Sequence, residues 1–345
     1  MSPLIHSLIR ITPRQSPFTC PSVPAWISTG ILASIALING EEPDWERLPD
    51  MPIPRWEAGT VTLDGKLYTF GGYTMGTKSS KRADVFDPGD RSWTALAELP
   101  SAITHINAVL DRRTVWLAGG FKDGYKGYAI SEVWQYHIDR DTYTARPDLP
   151  EPRAGGGLAL VGRTLHYIGG LTKDRDTDSG DHWTLDLEQL ESPRLTWKPA
   201  APMPVPRNQF STVTLENKIF LIGGQFHHDS GQTDQPRVDI YHPAEDSWSV
   251  GPALEKGHSH AEGSTLIHQG SIYLLGGMSR IEKRRWIDNE IVALGSDGSW
   301  KRLGHLPLRL SSPIAAILED KLYVGGGSPN GANPQSGMWV RDVPR

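Results

Sequence analysis

The sequence predicts an all-β protein in which one four-stranded unit occurs six times. Glycine and proline are both frequent, with 36 and 27 among 345 residues, and there are 12 tryptophans. Many short strands joined by tight turns have this composition. In addition, an apolar stretch ending in Gly-Gly recurs, and the pair ends at residues 72, 120, 170, 224, 277 and 327. Intervals of 48 to 54 residues indicate a repeat architecture.

Each unit contains strand patterns in a fixed order. A first strand leads into a turn such as LDGK (63–66), and the second strand ends in the Gly-Gly pair. After a loop of variable length comes a third strand such as VDIYHP (238–243). The fourth strand carries an aromatic residue: Trp93, Tyr143, Trp197, Trp248 or Trp300. One such sheet cannot bury both of its faces, so we expect six sheets packed around an axis, a six-bladed β-propeller.

The last unit predicts how the ring closes. It has three strands, and the chain then ends without the aromatic fourth strand. An unassigned DWERLP segment (44–49), which has the features of a fourth strand, precedes the first unit. We therefore expect an N-terminal strand to complete the last blade, which removes an open sheet edge.

These repeats resemble the kelch motif. The Gly-Gly pair, the later strand with Tyr or Phe before Asp-Pro or His-Pro, and the spaced tryptophans all match that unit of about 50 residues. The resemblance covers residues 44–342 and implies the propeller fold. It does not imply one function, because kelch propellers include adaptors, glycan-binding proteins and enzymes. Size, leader and blade count are also similar to the N-acetylneuraminate epimerase group, which implies a sugar mutarotase.

The N-terminus predicts export. Arg10 and Arg14 precede an apolar run at 25–40, after which the chain becomes polar and acidic. This order is typical of a secretory signal peptide, so we predict a leader at 1–40 and a propeller at 41–345, in the periplasm or outside the cell. The run of about 16 residues is short for a membrane span, and we expect no transmembrane segment in the mature chain.

Several function classes are disfavoured. A formal net charge of -5 argues against a nucleic-acid partner. Phosphate-binding and dinucleotide-binding motifs are absent from the sequence. The copper-radical chemistry of galactose oxidase needs a tyrosine crosslinked to cysteine, and the single cysteine, Cys20, lies in the predicted leader. We expect a monomer without an organic cofactor.

Two sets of loops should meet on one face of the propeller: those joining strands two and three, and those joining one blade to the next. His227, His228 and Asp229 follow a Gly-Gly pair and belong to the first set. His258, His260 and Glu262 precede the next blade and belong to the second. Because alternate residues of an extended segment share a side, we expect these last three to face one space. Of the adjacent His227 and His228, only one should do so.

Alignment of the blades extends this site. Arg55, Arg153, Arg207 and His260 fall at one position, and Glu57, Gly155, Gln209 and Glu262 fall two residues later, with His105 nearby. His260 and Glu262 are the catalytic candidates. The ligand-binding candidates are Arg55, Glu57, His105, Arg153, Arg207, Asn208, Gln209, Gln225, His227, His228, Asp229 and His258.

This set of side chains favours a small polar ligand, most naturally a carbohydrate, held by planar donors and acceptors. The alternatives are a divalent metal bound by His, Asp and Glu, a cofactor-independent mutarotase using His260 and Glu262, and purely structural arginines that pack between blades. A protein-interaction scaffold would expose apolar side chains on the loop face. Asp174, Asp176 and Asp178 favour a solvated acidic loop over a calcium site.

Overall fold

The computed structural model describes residues 45–281 and 284–344 and contains six four-stranded antiparallel sheets. The predicted leader and Cys20 lie outside the described residues, so export stays a prediction. Three short 3₁₀ turns are present, at Met75–Thr77, Leu187–Gln189 and Glu262–Ser264. Within the described ranges, no helix is long and apolar enough to cross a membrane.

Each sheet forms one blade, and its strands are numbered outward from the axis. In blade 1 they are Gly59–Leu63, Lys66–Phe70, Ala83–Asp87 and Ser92–Ala95. In blade 2 they are Asn107–Asp111, Thr114–Ala118, Val133–His137 and Thr142–Arg146. In blade 3 they are Gly157–Val161, Thr164–Ile168, His182–Asp186 and Lys198–Pro199.

The second half of the chain repeats the arrangement. In blade 4 the strands are Ser211–Leu215, Lys218–Ile222, Val238–His242 and Ser247–Val250. In blade 5 they are Thr265–His268, Ser271–Leu275, Glu290–Leu294 and Trp300–His305. In blade 6 they are Ser311–Leu318, Lys321–Ser328, Met338–Asp342 and, from the N-terminus, Glu46–Leu48.

The N-terminal strand completes blade 6 as predicted. Glu46 lies opposite Val340, and Leu48 lies opposite Met338, in antiparallel pairing. Just before this strand, the Trp45 indole nitrogen donates a hydrogen bond to the His305 carbonyl of blade 5 at 3.0 Å. The N-terminal segment therefore joins two blades that come last in the chain.

Backbone hydrogen bonds connect every blade to the next. The second glycine of each pair donates its N–H to a carbonyl at the start of the following blade, at 2.8 to 3.1 Å. The pairs are Gly72–Ile103, Gly120–Arg153, Gly170–Arg207, Gly224–His258, Gly277–Leu310 and Gly327–Arg55. The last pair connects blade 6 to blade 1. Glycine is required because, at Gly224, φ is 98° and a Cβ would lie 2.8 Å from the Asn208 carbonyl oxygen.

The core is divided among the blade interfaces. One apolar cluster fills each of the six contacts between neighbouring sheets, as Phe70 and Leu117 do between blades 1 and 2. Second strands are apolar on both sides because each blade packs between two others.

Short ribbons extend the loops between strands two and three, and the ribbon of blade 2 gains a third strand from the segment before that blade. They occur in blades 1, 2, 4 and 5: Tyr73–Thr74 with Lys78–Ser79, Phe121–Lys122 with Tyr128–Ala129 and Ile103–Thr104, Gln225–Phe226 with Thr233–Asp234, and Met278–Ile281 with Arg284–Ile287. These ribbons surround the axis on one face, which we call the loop face.

Candidate functional site

A cavity of about 630 Å³ lies at the loop face, and all six blades contribute to its wall. Its lining comprises Trp56, Glu57, Tyr73, His105, Tyr125, Lys126, Arg175, His228, Asp229, Gln232, His260, Met278, Arg280, Arg285, Ser311 and Gly331. Both predicted loop sets are represented. The volume lies within the range of small-molecule pockets. We call this space the central cavity.

A ring of six equivalent residues, one from each blade, lies at the base of the central cavity, and its members are Glu57, His105, Gly155, Gln209, His260 and Ser312, each with φ between 46° and 61°. Of these, Glu57, His105 and His260 line the cavity. Going around the ring, five of the amides donate to the carbonyl of the preceding member at 2.7 to 3.3 Å. Left-handed backbone is strained for residues other than glycine, and such strain clusters at functional sites.

Within this ring, the Glu57 carboxyl group contacts two histidines. Its Oε2 lies 2.8 Å from His105 Nδ1, and its Oε1 lies 3.8 Å from His260 Nε2. Burial raises the pKa of Glu57 to about 8. Burial also holds the pKa values of His105 and His260 well below the ordinary histidine value. Near neutral pH the site therefore contains a protonated carboxyl group between two neutral imidazoles.

On one side of Glu57, a chain of polar contacts leads to a buried arginine. His105 Nε2 lies 3.3 Å from His228 Nε2, and His228 Nδ1 lies 2.7 Å from Asp229 Oδ1. Arg175 Nε donates to Asp229 Oδ2 at 3.1 Å, and its guanidinium lies 3.9 Å from the Phe121 ring centroid. Within the described part of the chain, Arg175 Nη2 has no hydrogen-bond partner. It is a buried donor in the cavity wall.

On the other side, His260 is held by a second carboxyl group. Its Nδ1 lies 2.7 Å from Ser259 Oγ, which donates to Asp234 Oδ1 at 2.8 Å. Burial raises the pKa of Asp234 to about 7. The orientation of His260 is therefore fixed from behind, while its Nε2 points toward Glu57.

The acidic loop of blade 3 supports the histidine loop of blade 4. Asp178 accepts hydrogen bonds from Asn208 Nδ2 at 2.6 Å and from the His227 amide at 2.8 Å. Asp176 accepts from the His228 amide at 3.3 Å and from Ser230 Oγ at 2.6 Å. Asp176 and Asp178 therefore hold a neighbouring loop, while Asp174 is exposed as expected for a solvated acidic loop.

The three predicted ligand-binding arginines lie outside the central cavity. Arg55 pairs with Asp84, Arg153 pairs with Asp181, and Arg207 pairs with Asp239 at 2.7 Å. Arg207 also donates to three backbone carbonyls. All three guanidinium groups are buried, with their charge balanced by aspartate. Their position corrects the sequence prediction and matches its structural alternative.

In the sequence alignment of the blades, blade 5 was shifted by two residues, so that His260 was placed at the arginine position. Gly224 donates to His258, as Gly170 does to Arg207, so His258 rather than His260 occupies the arginine position. His258 is buried against the Gly276 carbonyl at 2.6 Å and lines a different cavity of about 340 Å³. His260 is instead the equivalent of Glu57 and Gln209.

The predicted catalytic pair is also separated. Glu262 lines the axial channel below the ring, and burial raises its pKa to about 8. Gln209 and Glu262 both line the narrow constriction between this channel and the central cavity. The carboxyl group beside His260 is that of Glu57, and the assignment of His260 and Glu262 as catalytic residues stays a prediction.

Of the other predicted ligand-binding residues, some line the central cavity and some do not. His228 and Asp229 line the central cavity, whereas His227 points elsewhere, as expected for adjacent residues. Asn208 and Gln225 are buried in the blade 4 loop and bond to each other at 3.0 Å. In residues 45–281 and 284–344, no three His, Cys, Asp or Glu side chains form a cluster that could hold a metal ion.

Sequence reasoning missed most of the cations and aromatic groups of the cavity. Arg175 lies between Asp174 and Asp176, in the segment that the sequence predicts to be a solvated loop. Exposed apolar side chains on the loop face are the feature expected of a protein-interaction scaffold, and this face has several of them. Five of the seven exposed large apolar side chains in the described residues lie in its loops and ribbons: Met75, Tyr125, Tyr128, Trp286 and Leu308.

Comparison with known proteins identifies the repeat. The kelch motif matches residues 54–100 and 206–255. The kelch repeat-containing protein At3g27220 of Arabidopsis thaliana is 26% identical over 334 residues, which cover 90% of this chain and 78% of that protein. The kelch-like protein terF of Aspergillus terreus is 26% identical over 73% of this chain and 55% of its own length.

Two further similarities concern architecture. Beta-scruin of Limulus polyphemus is 25% identical over 82% of this chain, which spans 31% of that protein. The solved structure of YjhT superposes with a TM-score of 0.72 at 15% identity, covering 86% of this chain and 97% of that one. At this identity the likeness shows the fold alone.

Proposed function

We propose, from the premise that this chain contains kelch motifs, that its central cavity binds a small anionic polar ligand of the sugar-acid class. The observation that carries the proposal is Arg175. Its guanidinium is buried in the cavity wall and is fixed there by Asp229, Phe121 and the Gly127 carbonyl. Preorganised guanidinium groups of this kind favour carboxylates.

The charge of the wall supports an anion. Lys126, Arg175, Arg280 and Arg285 line the cavity, against the acidic side chains Glu57 and Asp229. Because the raised pKa keeps Glu57 protonated near pH 7, it does not repel a carboxylate. The remaining hydroxyl, amide and imidazole groups of the wall suit the hydroxyls of a carbohydrate.

The test is a matched pair of sugars. D-galacturonic acid should bind, measured by calorimetry, at least tenfold more tightly than neutral D-galactose. Arg175→Met should abolish this preference, whereas Arg163→Met should not, since Arg163 pairs with Asp111 outside the cavity. Equal affinity for both sugars, or an unchanged preference in Arg175→Met, would contradict the proposal.

Glu57 favours a second candidate, cofactor-independent interconversion of sugar anomers. As the bond between the anomeric carbon and the ring oxygen breaks, Glu57 would give its proton to the ring oxygen. His260 Nε2 would take the proton of the anomeric hydroxyl, and the reverse steps would close the ring on the other face. An acid with a pKa near the working pH suits this role.

Exchange between anomers, followed by NMR, tests this candidate. The wild-type protein should accelerate anomer exchange of N-acetylneuraminic acid or D-galacturonic acid. Glu57→Gln should remove the acceleration while sugar binding persists. If the wild-type protein binds a sugar without accelerating exchange, it is a binding protein and the second candidate fails.

Export is part of the proposed setting. The mature chain should begin near Glu41, because the blade sequence follows directly. N-terminal sequencing of protein from its native host would show this, and a mature product that retains Cys20 would contradict it.

A further inference from the structure

One aromatic side chain at the mouth of the central cavity has no role in the site described so far. Tyr125 lines the cavity, yet 63% of its surface is exposed. A large apolar ring held in water at a cavity entrance loses burial energy unless a ligand covers it. The structure around this ring shows how it is held.

The loop that carries Tyr125 is fixed on both sides. Gly124 donates its N–H to Ser79 Oγ at 2.7 Å, and its carbonyl accepts a hydrogen bond from the Gly127 amide at 2.9 Å. The Gly127 carbonyl accepts from Arg175 Nη1 at 2.8 Å. The tip, Tyr125-Lys126, therefore projects from a tethered turn whose base touches the proposed carboxylate-binding arginine.

The opposite edge of the mouth is basic and also tethered. Arg285, on the blade 5 ribbon, lines the cavity and donates from Nη2 to the Asn330 carbonyl of blade 6 at 2.9 Å. Tyr125, Lys126 and Arg285 thus contribute one aromatic ring and two cations to the lining of the cavity. Aromatic faces stack on the apolar faces of pyranose rings, while cations pair with their carboxylates.

We propose that Tyr125, Lys126 and Arg285 form an outer subsite, so that the ligand is the end of an acidic oligosaccharide rather than a single sugar. This inference rests on the proposed function and extends it. The terminal sugar acid occupies the central cavity, and the next ring lies on Tyr125 with its carboxylate between the two cations.

The experiment compares chain lengths in calorimetry. The linear trimer of D-galacturonic acid should bind the wild-type protein about tenfold more tightly than the monomer. Tyr125→Ala should bring the ratio of the two affinities to within twofold of one, and Tyr125→Phe should preserve it. Trp286→Ala is the control, since Trp286 is 47% exposed on the same face but does not line the cavity; it should leave the ratio unchanged.

The outcomes separate the two proposals. If neither monomer nor trimer binds, the proposed function fails. If the monomer binds and the trimer binds no more tightly, the outer subsite alone is overturned. A ratio that is lost equally in Trp286→Ala would indicate a diffuse aromatic surface, such as a protein partner would use, and would also overturn the subsite.

Discussion

Arg55 and Glu57 lie two residues apart, and both are almost fully buried, yet their environments are opposite. Arg55 is paired with Asp84 inside the interface between blades, so its charge is balanced. Glu57 faces the central cavity, and burial raises its pKa to about 8 although His228 and Arg175 partly offset that effect. The same contrast separates Arg207 from the ring around the axis. Paired charges fix the segment before a blade to that blade's third strand, whereas the incompletely compensated groups lie at the axis, where perturbed pKa values favour a functional role.

The largest effect should come from breaking a balanced pair. Arg207→Ala removes hydrogen bonds to Asp239 and to three carbonyls in a fully buried setting. We expect a loss of about 2–4 kcal/mol in unfolding free energy, measured by urea denaturation. Arg237→Ala is the matched control, because Arg237 also pairs with Asp239 but is about one-third exposed. A smaller loss in Arg207→Ala than in Arg237→Ala would contradict the structural role of this arginine.

Whereas replacing Arg207 should lower the free energy of unfolding, replacing Glu57 at the axis should raise it. Glu57 has a folded-state pKa of about 8, against an ordinary value of 4.5. Between these values the unfolded state releases its proton while the folded state keeps it, so stability declines as pH rises. Glu57→Gln should therefore stabilise the protein by about 1–3 kcal/mol at pH 8 and by little at pH 4. Denaturation at both pH values checks this, and equal effects at pH 4 and pH 8 would refute the sign.

A third test uses buried histidines of the blade body. His166 and His182 share a hydrogen bond of 2.9 Å, and burial lowers their pKa values to about 3 and about 4. Below about pH 6.5 these histidines bind protons in the unfolded state but not in the folded state, so the free energy of unfolding decreases as the pH is lowered. His166→Gln should reduce the fall between pH 6.5 and 4.5 by about 1–2 kcal/mol. Parallel stability curves for the two proteins would show that His166 is not responsible.

The smallest effect is expected where blade 5 departs from the arginine pattern. His258 occupies the arginine position beside a cavity of about 340 Å³ that Asp288 and Glu290 also line. His258→Arg should find both space and carboxylates there, and we expect a change of less than about 1 kcal/mol. Thermal melting against Arg207→His provides the comparison, since that reverse exchange should be clearly destabilising. A strongly destabilised His258→Arg protein would mean that the two positions are not equivalent.

The fold could be predicted because the repeat is defined by glycines and aromatic residues, and each of these residue types has a specific structural role in a blade. Gly224 and its equivalents allow two backbones to approach, and Trp45 marks the strand that completes blade 6. The face that carries the site followed from connectivity alone, which brought His228 and His260 to one cavity.

The details of the site could not be predicted, and the reason is local backbone geometry. The alternation of side chains holds for extended residues, but His260 has φ of 59° and Glu57 has φ of 54°. The left-handed backbone at these positions directs the side chain of each ring residue away from the side that simple alternation predicts. It also hides the pairing of Glu57 with His260, which are separated by about 200 residues in sequence. Arg175 was missed because only tertiary contacts distinguish it from its solvated neighbours.

The pairing of Glu46–Leu48 with Met338–Asp342 sets an order of events in time. During synthesis, the first strand leaves the ribosome before its partner has been translated. At about 5–20 residues per second, the intervening residues take roughly 15–60 s to appear. Only at the end of that interval are blades 1 to 5 all translated, and until blade 6 is complete they form an open arc whose two end sheets each lack a neighbour. The nascent chain is therefore most exposed to misassociation just before its last strand arrives, and its final stability appears in a single late step.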